Sequence, residues 1–229
     1  MIIGSRFNGP PGTGNGGYSS GTFVVESGLA GAGALGAAVE VTLRKPPPLE
    51  VPLTISDGAE AVQVTDPGGA LIAELREAVL DADEVVEPVS FDEAVEVSKG
   101  YPGFTMHPFP TCFVCGPQRG EGDGLRLFPG RLGAGRTATP FLVTDELSPQ
   151  LMWASLDCPG GWAVPLEGRP YVLGRLATRL SAVPEAGERC VVMGAMTGED
   201  GRKAFTLTTM YGGDGRLLAA ARATWVALA

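Results

Sequence analysis

The clearest hydrophobic patterning lies in the C-terminal half. Four strand-like runs, Tyr171–Val183, Arg189–Thr197, Lys203–Tyr211 and Leu217–Leu228, are separated by PEAGE, GEDG and GGDG, which have the composition of hairpin turns. Two further runs, Leu125–Leu132 and Arg136–Val143, predict a strand pair joined by a glycine-containing turn. Between the pair and the four-strand meander, Ser148–Cys158 predicts a helix. Ser148 is a capping residue, Pro149 suits the first helical position, and Leu151, Met152, Ser155 and Leu156 recur at helical spacing. The Pro and Gly residues of Cys158–Gly161 are expected to end it.

The N-terminal half has the same order in shorter form. A predicted strand, Ile2–Asn8, leads through a Gly-rich loop to the apolar segment Tyr18–Gly28, and then to AVEVTLRKPPPLEVPLTI, AEAVQVTDPGG and ALIAELREAVL. The segment VTLRKPPPLEVPL aligns with TRLSAVPEAGERC at an offset of 137 positions, and TDPGGALIAELREA with YGGDGRLLAAARAT at 146. The difference of 9 fits a longer hairpin around Gly198–Gly201. The pattern suggests an internal duplication, with residues 1–85 and 123–229 as two units of one helix and a curved sheet each. The connector, 86–122, holds one predicted helix in Phe91–Gly100, followed by a Pro/Gly-rich stretch long enough to have a task of its own.

Composition narrows the function. A formal charge of −9 argues against a nucleic-acid or anionic-membrane partner, both of which need a basic face. With 34 Gly and 19 Pro, the chain is turn-rich with few long helices. The start, MIIGSRFNGPPG, lacks a basic segment followed by an apolar run, and no stretch approaches the length of a membrane span. Four cysteines are too few for a disulfide scaffold, so the expectation is a cytoplasmic protein with reduced thiols.

Several motifs compete for attention. GPPGTGNG (Gly9–Gly16) resembles a phosphate loop, but Asn15 and Gly16 stand where Lys and Ser/Thr are needed. Gly12, Gly14 and Gly17, and again Gly31, Gly33 and Gly36, spell G-x-G-x-x-G; the second follows a helix-like run and precedes a strand, the reverse of the context of a dinucleotide site, and both are expected to be turns. Cys112 and Cys115 have metal-ligand spacing, with His107, the only histidine, five residues upstream. A structural zinc site wants four ligands, and Cys158 and Cys190 stand alone in a predicted helix and strand, so a buried, reduced pair packing the connector is expected instead. Neither metal nor cofactor is expected. His107 is expected to be a packing residue.

The run CFVCGPQRGEGDGLRLFPG, followed by a strand pair and a helix ending in Leu-Asp, resembles the hotdog-fold thioesterases of the phenylacetate-pathway type. The run Asn15-Gly16-Gly17-Tyr18 resembles the turn that opens the central helix in that superfamily. The resemblance implies an α+β double hotdog, two tandem units each with an antiparallel sheet wrapped around a central helix, and acyl-CoA hydrolase activity.

Thioester hydrolysis needs donors aimed at the carbonyl oxygen as it becomes negative, and a base or nucleophile opposite them. In the family the turn supplies the donors, and a carboxylate nine residues after its first position lies on the helix of the other unit. Here those roles are split. The position nine after Asn15 holds Val24, whereas Asp157 has Ser148, Pro149 and Gln150 in place of the turn. The resemblance therefore implies one working site per chain. Asp157 is the candidate base or nucleophile, the Gly17 and Tyr18 amides are the candidate oxyanion donors, and Asn15 orients the thioester or a water. Glu26, two positions past the expected one, is turned by about 200° on a helix. Phe23, Val24, Met152, Trp153 and Leu156 are candidates to line an acyl tunnel. The competing reading is a non-catalytic protein that binds an acyl or other small ligand. A homodimer is the expected assembly.

Overall fold

The computed structural model describes residues 1–29, 36–144, 147–166 and 168–228. The repeated Gly31–Gly36 motif lies largely outside the described residues. Among the described residues ten strands form one antiparallel sheet: β1 (Ala38–Leu43), β2 (Thr54–Asp57), β3 (Val62–Thr65), β4 (Leu71–Ala78), β5 (Gly130–Gly133), β6 (Arg136–Leu142), β7 (Tyr171–Leu180), β8 (Arg189–Asp200), β9 (Lys203–Tyr211) and β10 (Leu217–Ala227). Their order is β2-β3-β4-β1-β7-β10-β9-β8-β6-β5. The two halves meet where β1 pairs antiparallel with β7, setting Val41 opposite Leu176, both fully buried. Hydrogen bonding thus continues across the junction, and neither half presents an edge there.

Two central helical segments lie against the sheet. Helix α1 (Gly16–Ser27) packs on β1 and β7 and, along its length, on α3 (Pro149–Ser155). Asn15 caps α1 by accepting from the Tyr18 N–H at 2.9 Å, and Gly28 ends it in the left-handed conformation with φ 66°. Small residues permit the close crossing. A Cβ on Gly21 would stand 2.7 Å from the Trp153 Cβ, and one on Gly17 would stand 2.7 Å from the Trp153 carbonyl oxygen. Ser148 caps α3 as expected, accepting from the Leu151 N–H at 3.3 Å.

The Cys158–Gly161 segment does not simply end the helix. It forms a further helical turn, α4, resting on β6, β8 and β9. Pro159 is tolerated at the start of a helix, where its missing N–H has no partner to lose. The glycines are there for space, since a Cβ on Gly161 would come within 2.7 Å of the Trp225 ring.

Three other expectations are corrected. Ile2–Asn8 is not a strand: it contains the 3-10 turn Ser5–Phe7, and Phe7 stacks on Tyr18 with ring centroids 3.7 Å apart. Of Leu125–Leu132 only the end joins the sheet, because Leu125 and Leu127 donate backbone hydrogen bonds to Phe113 and Val114 of the connector. The GEDG hairpin is tighter than its composition suggested. β8 continues through a bulge at Met196/Gly198 to Asp200, and only Gly201 and Arg202 turn the chain.

In the connector, α2 (Phe91–Ser98) is capped by Ser90 and lies over β5, β6 and β8. The chain beyond it returns to the N-terminal segment, where Phe113 N–H donates to the Asn8 carbonyl at 2.7 Å. Among the described residues no helix is long and apolar enough to cross a membrane.

Candidate active site

The N-terminus of α1 meets the junction of α3 and α4. Asp157, in that junction, is 2% exposed, as is Asn15. One carboxylate oxygen, Oδ2, accepts from Asn15 Nδ2 at 2.8 Å and from the Gly17 N–H at 2.9 Å. Asn15 therefore works in two directions: its Oδ1 caps α1 and its amide holds the acid. The other oxygen, Oδ1, is buried without a hydrogen-bond partner among the described residues. Burial pushes the Asp157 carboxyl up to about 7; the Gly17 N–H lowers it, the Cys112 sulfur raises it and Asn15 lowers it. A carboxyl with that value exchanges a proton near neutrality, as a general base must.

A cavity of about 400 Å³ opens beside these groups, within the usual size range of a small-ligand site. Asn15, Gly16, Asp157, Cys112, Cys158 and Trp162 line it. Leu173, Trp225 and Val226 give it apolar walls, and Arg44 and Lys45 also line it. Gly16 is the first residue of α1, so its N–H has no intrahelical acceptor, and it makes no hydrogen bond among the described residues.

The structure brings Asn15, Gly17 and Asp157 together as one bonded unit and deploys the other candidates differently. The Gly17 amide is engaged by Asp157 and the Tyr18 amide by the Asn15 cap, so neither amide points freely into the cavity. Phe23, Val24, Met152, Trp153 and Leu156 all lie in the main core at 4% exposure or less and are absent from the cavity wall, because they fill the contact between helices and sheet. Glu26 is solvent-exposed. At the pseudo-equivalent position, the backbone of Gln150 packs on Gly21 and Val24 is core, with no Gly turn and no acid.

The Gly9–Gly16 loop is a turn, with Thr13 N–H on the Pro10 carbonyl and Gly14 N–H on that of Pro47.

Cys158 does not stand apart from the connector pair. Its sulfur lies 3.8 Å from that of Cys112, and His107 Nε2 lies 3.4 Å from the Cys115 sulfur. Sequence reasoning missed this because it placed Cys158 in a helix distant from the connector. The only local signal was its position next to Asp157. Gly16 was passed over in favour of Gly17, although every amide of the first turn lacks an intrahelical partner and side chains engage those of Gly17 and Tyr18.

This architecture is the double hotdog: two central helices crossing against one continuous sheet built from two units. Among solved structures, a hotdog-fold protein from Alicyclobacillus acidocaldarius superimposes on 100% of this chain and 92% of its own, with TM-score 0.65 and 14% identity. A thioesterase candidate from Novosphingobium aromaticivorans matches over 100% and 94%, with TM-score 0.66 and 14% identity. The TesB protein of Mycobacterium avium subspecies paratuberculosis matches over 96% and 90%, with TM-score 0.63 and 12% identity. No protein-family model and no curated protein matches the chain by sequence.

Proposed function

We propose that the protein hydrolyses acyl thioesters, with acyl-CoA as the substrate class, at a single site per chain. The observation that carries this reading is the buried Asp157, fixed by Asn15 and Gly17 at the edge of the cavity with its second oxygen unpartnered. In the proposed reaction, Asp157 Oδ1 takes a proton from a water whose oxygen attacks the thioester carbonyl carbon. The carbonyl oxygen, becoming negative, accepts from the Gly16 N–H at the positive end of α1. The C–S bond then breaks, and the leaving thiolate recovers the proton from Asp157. Asn15 and Gly17 are positioning residues in this scheme. Residues 1–85 and 123–229 are taken as duplicated units and 86–122 as the connector, each unit giving one half of the site.

Arg44 and Lys45 support the choice of carrier. Arg44 is paired with Glu74, whereas the exposed Lys45 has no ion pair among the described residues and can meet a phosphate. Purified protein is expected to hydrolyse acyl-CoAs, with a preference among chain lengths. Lys45→Ala is expected to raise KM for CoA esters about two- to fivefold, the effect of one exposed ion pair, with kcat unchanged. An unchanged KM in steady-state assays would remove Lys45 from carrier recognition.

One observation favours the second reading, ligand binding without turnover: the Gly17 and Tyr18 amides are already satisfied. Thermal stabilisation by an acyl ligand, with no product formed, would identify that case.

A further inference from the structure

We propose that Cys112, Cys115 and Cys158 bind one soft divalent metal ion, Zn(II) by the chemistry of the donor set, at the wall of the cavity. The three sulfurs lie within 4.8 Å of one another, and all three residues are buried and line the cavity. Zinc–thiolate bonds of about 2.3 Å in a tetrahedron place neighbouring sulfurs about 3.8 Å apart. The Cys112–Cys158 separation is 3.8 Å. A disulfide needs about 2.05 Å, and would in any case leave the third thiol unused.

N–H donors surround the sulfurs. Trp162 Nε1, which can only donate, lies 3.5 Å from the Cys115 sulfur. His107 Nδ1 accepts from the Phe109 N–H at 2.9 Å, so in the neutral ring the proton sits on Nε2, 3.4 Å from the same sulfur. Asn15 Nδ2 is 3.8 Å from the Cys112 sulfur. Three thiolates and a divalent ion carry one net negative charge, and these N–H groups offset it, as the donors around a metal site commonly do. The Cys112–Cys115 turn is closed tightly by Gly116, whose N–H donates to the Cys112 carbonyl at 2.9 Å. A side chain there would collide with the backbone of Pro110 and Cys112.

The tautomer makes His107 a partner of a sulfur ligand and not a ligand itself. Three protein ligands leave one tetrahedral position, and the cavity that all three cysteines line is its source. The assignment stands apart from the hydrolase reading, because its test reads metal and not turnover.

The test uses the full chain, purified under reducing conditions, stripped of metal and titrated with Zn(II) against a chromophoric chelator, then with Co(II). One ion per chain and thiolate-to-cobalt charge-transfer absorption are expected. Cys112→Ser, Cys115→Ser and Cys158→Ser should each abolish tight binding, with Cys190→Ser unaffected. His107→Ala should keep one ion per chain, bound about 10- to 100-fold more weakly. The proposal is overturned if the reduced wild-type chain binds neither ion, or if Cys158→Ser retains full stoichiometry. A dominant Cys112–Cys158 disulfide in anaerobically purified protein overturns it as well, as does His107→Ala losing the metal as completely as the cysteine variants. If the serine variants fail to fold, the cobalt spectrum of the wild-type chain still decides.

Discussion

Asp157→Asn lowers kcat for acyl-thioester hydrolysis by about 10²- to 10⁴-fold, the usual worth of a positioned general base. The substitution is nearly isosteric. Its amide oxygen can still accept from Asn15 Nδ2 and the Gly17 N–H, so the bonded unit that joins α1 to α3 persists. What is lost is the unpartnered Oδ1, replaced by a nitrogen that cannot take a proton from water. The fold should be retained, because a neutral amide at this buried position has no charge to desolvate. Steady-state kinetics beside circular dichroism check both halves of this expectation. Equal turnover in a folded Asp157→Asn protein would dismiss Asp157 as the base.

Gly17→Ala should lower unfolding stability by about 1–3 kcal/mol, the usual penalty for overpacking a close contact. In an unobstructed helix the same change gains up to about 1 kcal/mol from propensity, so the sign tests the packing. The added Cβ would stand 2.6 Å from the Asp157 Cβ, 2.7 Å from the Trp153 carbonyl oxygen and 3.1 Å from the Ala154 Cα. None of these is the free end of a flexible side chain, so α1 and α3 have to move apart. The movement also lengthens the Gly17–Asp157 hydrogen bond and should reduce activity along with stability. Denaturant unfolding reads the first effect. A variant as stable as the parent, or more so, would mean that the crossing of α1 and α3 is looser than described.

The meander was legible in the sequence because polar Gly-containing turns punctuate its strand-like runs. Helix α3 was legible through Ser148, whose hydroxyl does cap it. Asp157 stood out as an acid at the end of an apolar helix, where the dipole disfavours it.

Tertiary demands hid the rest. Gly160 and Gly161 looked like helix breakers, yet they serve close approach to Thr208 and Trp225. The Leu125–Phe128 run looked like sheet, yet its first residues bond to the connector. Phe23, Val24, Met152, Trp153 and Leu156 have tunnel-like character, but their spacing gives no sign that they fill the core and that other residues line the cavity. Cys158 could be joined to Cys112 and Cys115 only once the path of the connector was known.

The account depends most on where an acyl-thioester sits. A crystal structure of the Asp157→Asn variant with an acyl-CoA soaked in measures this directly. The account predicts the acyl carbonyl oxygen within hydrogen-bond distance of the Gly16 N–H, the thioester carbon beside the substituted amide side chain, and the carrier leaving past Lys45. An acyl-CoA seated elsewhere on the molecule, with the space between α1 and α4 empty, would contradict it.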